Sequence, residues 1–155
     1  MQKFLKSAAA GLAATGLLLS VPAQAAASGT AEKLRRLDIM LMVTALRCRT
    51  TADNFQPDFA AFENAHLAEL NGASNEMKRG LIGQYGAAGA NRALDRLSTG
   101  MANQYGQGHP WLGCADLKSV TRSLALMRGP GALEEAADQL LSSEGSGPEL
   151  AFVRR

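Results

Sequence analysis

Apolar residues recur every three or four positions through most of this chain. That is the period of an α-helix, not the alternation of a strand. Leu34, Leu37, Leu41 and Ala45 line one face of a first helix, and Cys48 continues that face near its C-terminal end. The pattern starts this helix near Thr30, a residue suited to an N-cap. Within it the run Ile39 to Val43 is apolar on every side, which predicts a helix surrounded by others. The longest period follows: Phe55, Phe59, Phe62, His66, Leu70, Ala73, Met77 and Leu81 all step by three or four. It predicts an amphipathic segment over 54–85, as one helix or two, with Pro57 in its first turn and a bend at Asn71–Gly72.

A further helix is predicted from about 88 to 105, with Leu94, Leu97, Met101 and Tyr105 inward. The tripeptide Gln-Tyr-Gly occurs at 84–86 and again at 104–106, closing both helices, and a glycine after the aromatic suits a left-handed C-cap. Past it, Trp111, Cys114, Leu117, Thr121 and Leu124 form one stripe, with Val120 beside it. Gly-Pro-Gly at 129–131 breaks the chain, and a last short helix turns Leu133, Ala137, Leu140 and Leu141 inward. Four or five helices with short connections make an all-α bundle. Composition agrees, since valine and isoleucine are scarce beyond the first 25 residues while alanine and leucine abound.

The N-terminus alters the charge argument. Lys3 and Lys6, an apolar run and the ending Pro22-Ala23-Gln24-Ala25 predict a signal peptide over 1–25, hence a periplasmic or secreted protein. A helical domain over 26–142 and a flexible tail over 143–155 complete the expected organisation. The whole chain carries 16 Lys+Arg against 14 Asp+Glu. Two lysines leave with the leader, so the mature part is balanced and gives no reason to expect nucleic acid or an anionic membrane as partner. No apolar run in the mature part is long enough to span a membrane. In an exported chain the two cysteines, Cys48 and Cys114, are expected to form one disulfide, two buried free thiols being the alternative.

The stretch Gln104 to Cys114 gathers His109, the only tryptophan (Trp111) and Cys114. A cysteine with a histidine is the makings of a thiol nucleophile. The simpler account is a stapled corner: Pro110 blocks helix at His109, Trp111 plugs the bundle end, and Cys114 locks the next helix to Cys48. On that account replacing His109 should do little. His66 lies within the phenylalanine stripe and reads as a core histidine with one hydrogen bond. Glu63, His66 and Glu69 make half of a carboxylate-histidine metal pattern, but no second half exists, so no metal is expected. Gly80 to Asn91 is glycine-rich but lacks the preceding strand and the lysine of a phosphate loop, so no cofactor is expected either. Arg47, Arg49, Thr50 and Asp53, grouped beside Cys48, join His109 and Trp111 as a candidate rim for a ligand or partner.

The segments LRRLDIMLMVTALRCRTTADNFQPDFAAFENAHLAELN, ANRALDRLSTGMANQYGQGHPWLGCADLK and EAADQLL together resemble a family of small exported bacterial helical proteins of unknown function, over about 34–141. Relatives of this kind can carry the label S-adenosyl-L-homocysteine hydrolase. That enzyme resembles a large NAD-dependent protein with a dinucleotide fold. This chain has no strand followed by G-x-G-x-x-G, and none of that enzyme's catalytic residues can be placed on it. Two expectations follow. The first is a non-enzymatic binding, interaction or stress-related module of the cell envelope, whose partner is an envelope protein or small ligand. The second is a small hydrolase-type enzyme using Arg47, Arg49 and Asp53 with His66 or His109.

Overall fold

The computed structural model describes residues 23–142, with side chains from Ser28 onward. The predicted signal peptide, apart from its last residues, and the predicted tail over 143–155 lie outside the described residues. Four helices make up the rest: α1 (Ala23–Cys48), α2 (Gln56–Gln104), α3 (Cys114–Leu126) and α4 (Ala132–Leu141). Among the described residues there is no strand, and the molecule is an all-α bundle. Among the described residues no helix is long and apolar enough to cross a membrane.

α1 is the central element and packs against each of the other three. Leu34, Leu37, Leu41, Ala45 and Cys48 are buried on it, as the period requires. The helix is already running at Ala23, so Thr30 is not its cap. Thr30 instead donates its hydroxyl to Glu134 Oε1 of α4 at 2.7 Å. The fully apolar run is also not wholly enclosed: Ile39, Met40 and Leu41 are buried, but Met42 is 39% exposed.

α2 is folded back on itself. It stays helical through Asn71 and Gly72 and breaks instead at Gly86, with φ 67° and ψ 167°. That conformation is essentially restricted to glycine. The predicted segment over 54–85 is therefore one helix, and the second arm returns along α1. Three contacts fix the directions. Asp58 pairs with Arg122 of α3 in the first arm, while Ser98 and Gln104 of the second arm accept from Arg35 and Arg36. The first arm begins eight residues past Cys48 and Arg47 reaches Gly106 just past the second, so both ends of α2 sit near Cys48 and the turn at Gly86 lies toward the start of α1. α4 runs parallel to α1, since Thr30 meets Glu134 and Lys33 meets Asp138.

Phe55 and Phe62, both 0% exposed, anchor the main core together with Leu37, Met40, Leu41, Leu117, Leu124, Leu133 and Leu140. Burying each such side chain contributes about 1.5–3 kcal/mol. In the second arm Ala90, Ala93 and Met101 are buried, as is Tyr105 just past its end, but Leu97, predicted inward, is 45% exposed. Two buried hydroxyls, Thr44 and Thr121, are satisfied within their own helices by Met40 O and Leu117 O, each at 2.7 Å.

Candidate functional site at the stapled corner

Residues 105–113 connect α2 to α3 and are tied down from four sides. The first tie is covalent: Cys48 and Cys114 form a disulfide, joining the end of α1 to the first residue of α3. The second is Arg47, whose Nη1 donates to Gly106 O at 2.9 Å. The third is the start of α3, where Gly113 N–H donates to Asp116 Oδ2 at 3.1 Å.

The fourth tie is His109, which is buried at 9% exposure. Its Nε2 lies 3.0 Å from Leu140 O, so that nitrogen carries the proton and donates to the end of α4. Its Nδ1 accepts from Trp111 N–H at 3.4 Å and Leu112 N–H at 3.2 Å. Burial holds the imidazole below its ordinary pKa, and the hydrogen bond to Leu140 opposes that only in part. Tyr105 stacks on one side of the ring and Trp111 meets it edge-on. The expectation that replacing His109 does little did not foresee these bonds. Its ring bridges corner and α4, and both nitrogens are spent on backbone groups.

The two glycine stops differ from their sequence reading. Gly86 takes a positive φ but Gly106 does not; Gly108 does, at 109°. Its N–H donates to Tyr105 O at 2.9 Å, closing the tight turn that brings His109 beneath α4. Trp111 is half-buried and packs against the main core, with Nε1 buried and unpartnered.

The candidate rim does not converge as a set. Arg47, His109 and Trp111 belong to the corner. Arg49 bonds Leu46 O at 3.1 Å and is exposed. Thr50 is exposed. Asp53 sits in the turn after α1, its N–H bonded to Thr51 Oγ1, which itself donates to Cys48 O at 2.8 Å. His66 is buried in the core, as its stripe predicts, with Nε2 2.8 Å from Leu124 O and Nδ1 3.5 Å from Glu69 Oε2. Among the described residues no His, Cys, Asp and Glu gather as a metal-binding group.

An open cleft of about 890 Å³ lies between the corner, α1 and α4. Lys33, Arg36, Gln104, Tyr105, Gln107 and Asp138 supply its polar groups, while Pro110 and Leu140 are among its apolar ones. Lys33 pairs with Asp138 at 2.7 Å, and that hydrogen bond raises its pKa, so it stays charged. Arg36 bonds Gln104 Oε1 at 2.6 Å and Glu32 at 2.8 Å. Burial pushes the Tyr105 phenol up, against the charge of Arg36, so it stays a neutral donor. A smaller cavity of about 180 Å³ shares Gln107, Gly108 and His109 with the cleft and reaches the disulfide. These groups suit binding. Among the described residues the cleft offers donors and acceptors of both charges, and none of its lining groups is a nucleophile paired with a free base.

Sequence reasoning reached His109 but missed Lys33, Arg36, Gln104 and Asp138. The available signal was the three-residue step from Lys33 to Arg36, which sets both on one face of α1. Their partners come from helices distant in sequence. Compared with family models, with curated proteins and with solved structures, the chain matches none.

Proposed function

We propose that this protein is a non-enzymatic binding module of the cell envelope, periplasmic or secreted, that takes a small polar ligand or a partner segment in the cleft between corner and α4. The observation that carries this reading is the state of His109: buried, neutral, with both ring nitrogens bound to backbone at the foot of an open cleft. A general base needs a free nitrogen aimed at substrate. The disulfide, the leader-like N-terminus and the lack of a spanning helix among the described residues support an exported setting. The resemblance to small exported helical proteins accords with it.

The test places a photo-cross-linking amino acid at Gln107, in the cleft, and at Lys118, outside it, in the full-length protein in cells. The reading predicts one discrete adduct from Gln107 in the envelope fraction and none from Lys118. The same adducts from both positions, or none from either, would contradict it.

A further inference from the structure

The hydrogen-bonding groups of the corner cleft are unevenly committed. Asp138, the carboxylate of its lining, is engaged at both oxygens by Lys33, whose Nζ lies 2.7 Å from Oδ1 and 3.1 Å from Oδ2. The donors have capacity to spare. Arg36 gives one N–H to Gln104 Oε1 at 2.6 Å and one to Glu32 Oε1 at 2.8 Å, which leaves the rest of its guanidinium fork. Gln104 accepts through its carbonyl oxygen, and its amide N–H groups have no acceptor among the described residues.

Tyr105 adds an observation of a different kind. The residue is only 8% exposed, yet its hydroxyl has no hydrogen-bond partner among the described residues. A buried phenol normally has one. Its ring is fixed by the stack on His109. The hydroxyl is not among the fully enclosed atoms that lack a partner, so it opens into the cleft the residue lines, and the charge of Arg36 reaches it there. Gln104 and Tyr105 are consecutive, and Arg36 touches one and acts on the other. The three therefore form one patch of donors.

Building on the binding role proposed for the cleft, we infer that its ligand carries a carboxylate, held by the Arg36 guanidinium, the Gln104 amide and the Tyr105 hydroxyl, with an apolar body against Pro110 and Leu141. A planar guanidinium fork matches the two oxygens of a carboxylate, and hydrogen bonds to an ionised acceptor are the stronger ones. Glu32 and Glu134 stand behind Arg36 and Lys33, so the patch has little net positive charge and fits a monoanion better than a phosphate dianion. The cleft volume of about 890 Å³ is that of a small-molecule site.

The probe is phenylpropionate, with phenylpropionamide as its uncharged isostere, titrated into the ¹⁵N-labelled, full-length oxidised protein. The acid should shift the amide signals of Gln104, Tyr105 and Gln107 saturably, and the uncharged isostere should bind at least tenfold more weakly. Tyr105→Phe and Arg36→Gln should each weaken binding of the acid by about tenfold. Tyr105→Phe should melt with the wild type, because its hydroxyl has no protein partner; a merely structural tyrosine would lower the midpoint and leave binding alone. Lys118→Ala, outside the cleft, should change neither. An acetylated Gly-Gly-Phe peptide separates two sources of the same group: tighter binding than phenylpropionate marks a protein C-terminus, weaker binding a free organic acid, and both keep the carboxylate site. Equal affinity for acid and isostere, wild-type affinity in either variant, or no saturable shift would overturn it. The Gln107 cross-link is read separately, and an adduct there without carboxylate binding would discard this ligand class and keep the cleft.

Discussion

Gln84-Tyr85-Gly86 and Gln104-Tyr105-Gly106 are the same three residues, and each ends an arm of the folded helix α2. Their surroundings give them different work. At the first, Gly86 itself makes the turn, Tyr85 is 44% exposed, and Arg96 lies 5.8 Å above its ring. At the second, Gly106 stays in an ordinary conformation, Gly108 turns the chain, and Tyr105 is buried at 8% exposure against His109. The first is a surface reversal secured by one backbone conformation. The second is a hub where a disulfide, an arginine and a histidine meet. A short stop signal marks where a helix ends, and what packs on it decides how much rests there.

The largest expected effect belongs to the hub. Cys48→Ser and Cys114→Ser should each lower stability by up to about 4 kcal/mol, the chain-entropy value for a loop of this size. The double variant should cost little more, because the two residues act as one unit. Denaturant unfolding of all three checks this, and clear additivity would break the account. His109→Ala comes next, at about 2–4 kcal/mol, since it strands Leu140 O and empties an aromatic site. The same denaturation assay would read it, and a wild-type midpoint would return the corner to a mere connection.

Glycine substitution sharpens the contrast between the turns. Gly86→Ala and Gly108→Ala should each cost about 1–3 kcal/mol through positive-φ strain. Gly106→Ala should cost less than either, because its φ is not positive and an added Cβ would meet only Asn103 O at 3.4 Å. Thermal melts that rank Gly106 worst would invert the comparison. Smallest of all, Tyr85→Ala should cost about 0.5–1 kcal/mol, the value of an exposed cation–π contact.

pH separates the two regions again. The His109 imidazole has a lowered pKa in the fold and an ordinary one near 6.5 in the unfolded chain. Between those values the unfolded state holds more protons, so stability falls as pH drops from about 6.5 toward the folded value. Asp38 and Glu63, both raised by burial, act with the opposite sign. Subtracting the stability curve of His109→Gln from that of wild type isolates the histidine. A flat difference below neutral pH would contradict its burial.

Much of the fold was legible because it rests on local period. Leu34–Leu37–Leu41–Ala45, Phe55–Phe62–His66–Leu70 and Leu133–Ala137–Leu140 face inward as their spacing requires. The disulfide followed from there being two cysteines. What periodicity could not supply was which faces stay open. Met42 and Leu97 sit at apolar positions yet remain 39% and 45% exposed, because period says which residues share a face and not which face a neighbour covers. The site was half legible for the same reason. His109 stood out by its company in sequence, but its role depends on Leu140, 31 residues away, and the cleft depends on α4 lying parallel to α1. Asn71–Gly72 looked like a bend, yet the backbone stays helical there, while Gly86 breaks α2.

The central claim is that 104–114 is a structural hub whose histidine is spent on backbone. Long-range ¹⁵N–¹H correlation spectra of the oxidised protein, recorded across a pH titration, test it most directly. The account predicts His109 as the neutral Nε2–H tautomer at pH 7, protonating only below its ordinary value near 6.5. A His109 that titrates at or above that value, or carries its neutral proton on Nδ1, would contradict it.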